Sequence, residues 1–325
     1  VAYLSSASSH RARYDRELIQ FGVDHAFVKG EVASRGRDFT LEASLHRGAR
    51  RQLLSNGVRL KNAGELAGIL NTVLFCPEDL YLIRAGAEAR RKFLDQCICQ
   101  LRPRYAVALA EYKRLREHKT RILRDSAEHP DLLDTLDDFS LRMAQCGAIL
   151  VHYRAHFIKK LRQAAPPIHA DCSGGRERLE LEYRTVSTVT DPEAPPKTLL
   201  PQLLDHQESH RRAEIESRSC LSGPHKDDLS VSIDGCPAGA YASQGQTRTA
   251  ALALKLAARD IFYQDTQEWP VLLLDDVLSE LDSRRQEFVL NRITSGQVFI
   301  TCCEEEKLVH LREGNAFYIH DGRLA

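Results

Sequence analysis

The sequence has one methionine, Met143, and one tryptophan, Trp269, among 325 residues. It opens on Val1, which is not a translation start, and Val1 to Ser9 has neither the charged front nor the long apolar core of a secretory signal. Long apolar runs are missing too. Val271-Leu-Leu-Leu274 stops far short of the roughly 20 residues a membrane span needs, so no membrane association and a cytoplasmic location are expected. There is no excess of either charge. The 45 Lys/Arg against 45 Asp/Glu exclude a globally basic nucleic-acid-coating protein and an acidic tail, but not local patches. Nine cysteines stand at 76, 97, 99, 146, 172, 220, 236, 302 and 303, and no two have the Cys-x-x-Cys spacing of a zinc ribbon. Their odd number in a long chain argues against a disulfide framework, and reduced thiols are expected.

What remains is ordinary globular composition, 43% hydrophobic and 28% charged, at a length for one large domain or two smaller ones. Residues 1–85 read as β-rich. Ala26 to Ala33, Phe39 to Leu45 and Arg51 to Leu60 alternate apolar and polar residues between glycines, as in an antiparallel meander. A short helix (Ala63 to Leu70) and a strand (Thr72 to Phe75) follow. Residues 86–205 read as mainly helical. Helical spacing runs from Ala87 to about Arg124, interrupted by Pro103, and again from Phe139 to Gln163 after an acidic break. Two such helices make an antiparallel arm. Ala164 to Pro201, rich in proline and glycine around a strand at Leu179 to Tyr183, reads as the return path. Residues 206–325 read as α/β.

Charge is segregated in the arm. Arg84 to Arg124 carries twelve basic and four acidic residues, and Arg142 to Arg162 five basic and none acidic. One reading is a solvated pair of helices. The other is a face for phosphate backbones, with Arg114, Arg116 and Lys119 as candidate DNA contacts.

Val271-Leu-Leu-Leu-Asp275-Asp276 has the continuous apolarity of a parallel strand covered on both faces, and its acids fall at the carboxyl end, where open α/β sheets bind ligands. Such acids hold Mg²⁺ or orient a water, or simply cap a strand end in solvent. Ser279-Glu-Leu-Asp282 follows, then a helix from Ser283. Upstream, Ser243-Gln244-Gly245-Gln246 opens a helix over Ala250 to Tyr263. That turn is either an anion site built on a helix N-terminus or a simple N-cap. The spacing predicts a βαβ unit continuing into a strand at Gln297 to Thr301. A last strand is expected at Phe317 to His320, closed by an Asp321-Gly322 turn.

This order of motifs resembles the ATP-binding-cassette ATPases of chromosome maintenance. Ser243 to Gln246 stands at their signature motif, Leu272 to Asp276 at the Walker B strand, and Ser279 to Asp282 at the D-loop. More closely, the chain resembles the RecF family. Six ordered blocks carry that resemblance: Ser9-His-Arg with Asp15-Arg-Glu-Leu18; Phe75-Cys-Pro-Glu-Asp-Leu80; Arg90-Arg-Lys-Phe-Leu-Asp95; Ser222-Gly-Pro-His-Lys-Asp-Asp-Leu229; Ser243 to Thr249 with Ala251-Leu-Ala-Leu-Lys-Leu256; and Leu272 to Asp282. Thr247 departs from the usual glutamine, and Cys302-Cys303 replaces a threonine pair with no histidine after that strand. No Gly-x-x-x-x-Gly-Lys-Ser/Thr phosphate loop occurs. Relatives carry it before the block seen here at Ser9, so an absent leading segment of roughly 40 residues is expected on that resemblance.

The resemblance implies an α/β ATPase head with an inserted helical arm, using ATP and Mg²⁺. It implies an ATP-dependent homodimer in which Asp275 serves Mg²⁺, Asp276 the attacking water, and Ser243, Gln244, Gly245, Gln246 and Asp282 a nucleotide held by the other subunit. It further implies binding of gapped, double- and single-stranded DNA in recombinational repair, with RecO and RecR as partners in loading recombinase. Two alternatives stand beside it: a non-catalytic DNA-binding scaffold, and a metal nuclease using Asp227, Asp228, Asp275 and Asp276.

Overall fold

The computed structural model describes residues 1–12, 14–303, 314–320, 323 and 324. A short helix α1 (Ala2–Ser6) leads into a four-stranded antiparallel meander, β1 (His25–Ser34), β2 (Arg37–His46), β3 (Gln52–Ser55) and β4 (Val58–Arg59), paired in that order. The expected third strand, 51–60, is two strands. Asn56 and Gly57 both take positive φ, 50° and 76°, the backbone that a two-residue hairpin requires. Leu41, Ala43 and Leu53 turn one face of this sheet onto Leu4, Leu66 and Leu70. The expected helix over 63–70 is a single 3₁₀ turn, Ala63–Leu66, capped by Asn62.

Strand β5 (Thr72–Phe75) leaves this lobe and joins a parallel sheet described below. The arm follows as α2 (Ala87–Leu101), α3 (Pro103–Asp125) and α4 (Leu136–Ser173). Pro103 sits at the first turn of α3, where its missing N–H costs nothing. Helix α4 corrects the expectation that helix gives way to a return path at Ala164. It continues through Pro166 and Pro167 for ten more residues, to Ser173. An interior proline costs about 3 kcal/mol or more, yet Leu161, Ala165, Ile168 and Cys172 lie at helical spacing and are all buried in the main core. Packing outweighs propensity here.

The chain returns through β6 (Leu179–Arg184) and an unexpected helix, α5 (Pro196–Ser217). Residue 205, the expected end of the arm, falls inside α5. Then come β7 (Asp228–Ile233) and β8 (Cys236–Pro237), antiparallel beside β6, a single turn α6 (Ala238–Tyr241), and the long α7 (Gln244–Thr266). Strand β9 (Val271–Asp275) lies between β5 and β10 (Val298–Thr301), parallel to both, with α8 (Ser283–Arg292) in the connection. This is the predicted βαβ unit. Helix α7 is buried over most of its length, and its Leu252, Leu254, Ile261 and Phe262 share one core with α2, α3, α4 and β9. The last expected strand appears as β11 (Ile319–His320), paired with β12 (Arg323–Leu324); the Asp321-Gly322 turn lies outside the described residues. Among the described residues, no helix is long and apolar enough to cross a membrane.

Candidate functional site

The acids of β9 lie at the carboxyl edge of the parallel sheet. Asp275 is in register with Thr301 of β10, whose hydroxyl donates to Asp275 Oδ1 at 2.7 Å. Arg11 donates to Asp275 Oδ2 at 2.7 Å, and His10 Nε2 lies 3.2 Å from the same oxygen. Partial burial opposes ionisation of Asp275, but the Thr301 hydroxyl, Arg11 and His10 outweigh it and hold the carboxyl below its usual range. Asp276 takes a positive φ of 55°, an uncommon conformation for a residue with a Cβ. Its N–H donates to the Thr301 carbonyl and hydroxyl, both at 3.1 Å, and its Oδ1 accepts from Ser279 at 2.7 Å. Backbone strain and hydrogen bonds thus fix the second acid against the loop that follows it.

The signature turn opens α7. Ser243 is the N-cap, its Oγ accepting from Gln246 N–H at 3.2 Å while Gln246 Oε1 accepts from Ser243 N–H at 2.8 Å. This reciprocal box satisfies two donors and leaves the Gln244 and Gly245 N–H groups without an intrahelical acceptor. No acidic side chain stands in the first turn, and Ser243 and Gln244 are exposed. Asp282 caps α8 by accepting from Arg285 N–H at 2.9 Å. Its carboxyl is held low as well: burial opposes ionisation, and the Arg285 backbone and guanidinium outweigh it.

The six blocks singled out in the sequence meet in space. Lys255, buried in α7, donates to Leu74 O at 2.8 Å and pairs with Asp79 at 2.8 Å, joining the 251–256 and 75–80 blocks. Arg90 grips both oxygens of Asp228 at 2.8 Å, and Arg91 donates to Asp227 O at 2.6 Å, joining 90–95 to 222–229. Buried Arg154 closes that knot on Asp95 (2.8 Å), Asp227 (2.9 Å) and Pro224 O (2.7 Å). Gly223 has φ 127°, and a Cβ there would collide with the Tyr112 hydroxyl. The 222–229 segment is therefore a buried clamp between arm and strands. Asp227 and Asp228 are engaged by arginines, and among the described residues no group of three or more His, Cys, Asp or Glu stands together to hold a metal ion. The four-aspartate nuclease reading is corrected on that ground.

The basic candidates separate. Lys119 is 3% exposed and pairs with Glu214, 2% exposed, at 2.7 Å. As a DNA contact it is corrected: it is a buried strut between α3 and α5. Arg114 is exposed and pairs with Glu111 at 2.7 Å. Arg114 and half-buried Arg116 line an open cleft of about 1020 Å³ between the arm and the first lobe, joined by Lys92 and Lys113.

Among curated proteins, the DNA replication and repair protein RecF of Agathobacter rectalis is 36% identical over 312 residues, 96% of this chain and 83% of that protein. RecF of Listeria innocua is 36% identical over 331 residues, covering all of this chain and 88% of the relative. The chain belongs to the RecF family. Two solved structures of the recombination mediator protein RecF in the RecFOR pathway, RecF-ATPrS and RecF-ATP, match the fold with TM-scores of 0.90 and 0.89 at 31% identity. Each match covers 99% of this chain and 85% of the other. No family model matches the chain. The α/β head with its helical arm is thus the RecF fold.

The donors present fit part of a nucleotide site. One carboxylate, Asp275, beside a hydroxyl, Thr301, is a set that Mg²⁺ uses together with water. The acid-free α7 N-terminus suits a phosphate. A phosphate loop to grip ATP within the same subunit is not among these 325 residues.

His10, Arg11, Thr301 and Arg285 carry contacts that motif reading gave no role. His10 and Arg11 belong to the first of the six sequence blocks, and Thr301 ends a predicted strand. Parallel register alone would have set Thr301 beside Asp275.

Proposed function

We propose that this RecF-family chain is an ATP-controlled DNA clamp of recombinational repair, closing as a homodimer around nucleotide and opening on hydrolysis. The observation that carries the reading is the signature turn. It presents N–H donors without an intrahelical acceptor at an exposed helix end with no acidic side chain in its first turn, which suits the phosphates of a nucleotide held by a second subunit. Bound ATP with Mg²⁺ supplies the anionic phosphates and the leaving group. Ser243, Gln244, Gly245 and Gln246 would contact those phosphates across the dimer. Asp275 would hold Mg²⁺ once released from Arg11 and His10. Asp276, fixed by Ser279, would orient the attacking water and take its proton. Hydrolysis removes the cross-dimer contact, and with it the coupling of nucleotide to association.

DNA would lie in the cleft of Lys92, Lys113, Arg114 and Arg116, held by its backbone and with little sequence preference. The RecFOR pathway named for the solved relatives supports RecO and RecR as partner proteins; recombinase loading on gapped DNA is the task that the family resemblance implies.

The test uses the native gene product in sedimentation and phosphate-release assays. ATP-dependent dimerisation is expected, and Asp276→Asn should keep it while slowing hydrolysis by roughly 10²–10⁴-fold, the usual worth of a general base. Undiminished turnover removes Asp276 from the role. A wild-type protein that stays monomeric with ATP refutes the clamp.

A further inference from the structure

The signature turn and the D-loop are separate segments, and a partner's nucleotide can meet both only if something fixes their spacing. Arg285, the third residue of α8, spans the gap. Its Nη2 donates to Gly245 O at 3.1 Å, its Nε to Thr249 Oγ1 at 2.9 Å, and its Nη1 to the Asp282 carboxylate. Its own N–H also donates to Asp282, so side chain and backbone hold the same acid. Thr249, 2% exposed, passes its hydroxyl hydrogen back to Gly245 O at 2.9 Å, closing the ring of hydrogen bonds. A Cβ on Gly245 would stand 3.2 Å from Arg285 Nη2, so glycine lets the guanidinium approach the turn this closely. A second brace lies alongside: Arg248 Nη1 donates to Glu280 O at 2.7 Å.

We infer that Arg285 is a positioning residue that locks the signature turn and the D-loop into one rigid partner-facing unit. It touches no reacting atom. Its planar fork reaches three acceptors in two segments, which a lysine ammonium on a flexible stem cannot match. Without the lock, each element must be ordered when the dimer forms, and that ordering opposes association. The loss therefore falls on dimerisation and leaves nucleotide binding by a single subunit intact. The inference rests on the dimer reading above.

Arg285→Gln and Arg285→Lys would be compared with wild type and with Arg212→Gln, a change in an exposed pair on α5. In nucleotide-free protein, hydrogen exchange at residues 244–249 and 279–282 should speed up in Arg285→Gln, less so in Arg285→Lys, and not in Arg212→Gln. Binding of a fluorescent ATP analogue below the dimerisation range should not change. ATP-driven dimerisation should weaken by roughly ten- to a hundredfold, the worth of a charge-assisted hydrogen bond, with partial rescue by lysine. Unchanged exchange, or dimerisation equal to wild type, overturns the inference. So does an equal loss of monomer nucleotide binding, which marks a general folding role. If wild type itself fails to dimerise, the clamp reading falls and the exchange experiment still decides the lock. If Arg285→Gln does not fold, Arg285→Lys carries the same comparisons.

Discussion

Replacing Lys119 with methionine should destabilise the protein strongly and leave the salt dependence of DNA binding as it was. The ammonium is 3% exposed and lies 2.7 Å from Glu214, itself 2% exposed. Methionine keeps most of the stem volume, so the change reads charge rather than cavity. It leaves a buried carboxylate whose remaining partners are the N–H groups of Leu221 and Ser222, at 2.7 and 3.1 Å to Oε1. Stranding one member of a buried pair costs about 3–5 kcal/mol. A Glu214→Gln companion removes the stranded charge and keeps an amide oxygen for both N–H groups. The double variant should therefore recover most of the loss. Urea unfolding of the four proteins of the cycle measures the stability, and titration of a gapped duplex across a salt series measures the slope. A single variant within about 1 kcal/mol of wild type would mean the pair behaves like a solvated one. A slope reduced by about one unit would restore Lys119 as a phosphate contact.

Arg114→Ala with Arg116→Ala should lower the salt slope by about 0.9 for each phosphate no longer neutralised, without altering the unfolding midpoint; an unchanged slope places DNA elsewhere. His225 supplies a pH test. In the neutral ring Nε2–H donates to Cys220 O at 3.1 Å and Nδ1 accepts from the Tyr112 hydroxyl at 2.7 Å. Burial pushes its pKa down to about 4 from an ordinary 6.5. Between those values the unfolded chain takes a proton that the fold refuses, so stability falls as pH drops through the window. The total is roughly 3 kcal/mol, with no further loss from this group below it. His225→Gln should flatten that part of the stability–pH curve, and an unchanged curve would show that the ring protonates without cost.

Where a pattern was dense, sequence led directly to structure. The alternation in 26–45 and the apolar run 271–274 became β1, β2 and β9, because strand faces impose a period that side chains reveal. The signature turn and the α8 cap followed from Ser243 and Asp282 at the positions N-caps require. Proline misled. Pro166, Pro167, Pro195, Pro196 and Pro201 concealed the end of α4 and all of α5, although Leu161, Ala165, Ile168 and Cys172, and Leu199, Leu203 and His206, already kept helical spacing. Charge misled in another way, since composition does not say which cations are buried. Lys119 and Arg154 belong to the arm's basic count, yet both are engaged by internal partners. Contacts between blocks, such as Arg11 with Asp275, are tertiary and have no local signal at all.

Helix α4 carries a consequence for any attempt to take the molecule apart. At 1.5 Å per residue its 38 residues reach about 57 Å, from the acidic turn at one end to Gly174, beside Arg284 of α8, at the other. Along the way it packs on α3, α5 and α7 and forms a wall of the core that also contains β9. The arm is thus not an appendage on a flexible joint. Excising it would lay bare the apolar flank of α7, and the remnant should aggregate rather than fold alone. The same stiffness makes α4 one unbroken rod, running from the acidic turn to its packing against α7, the helix that opens on Ser243.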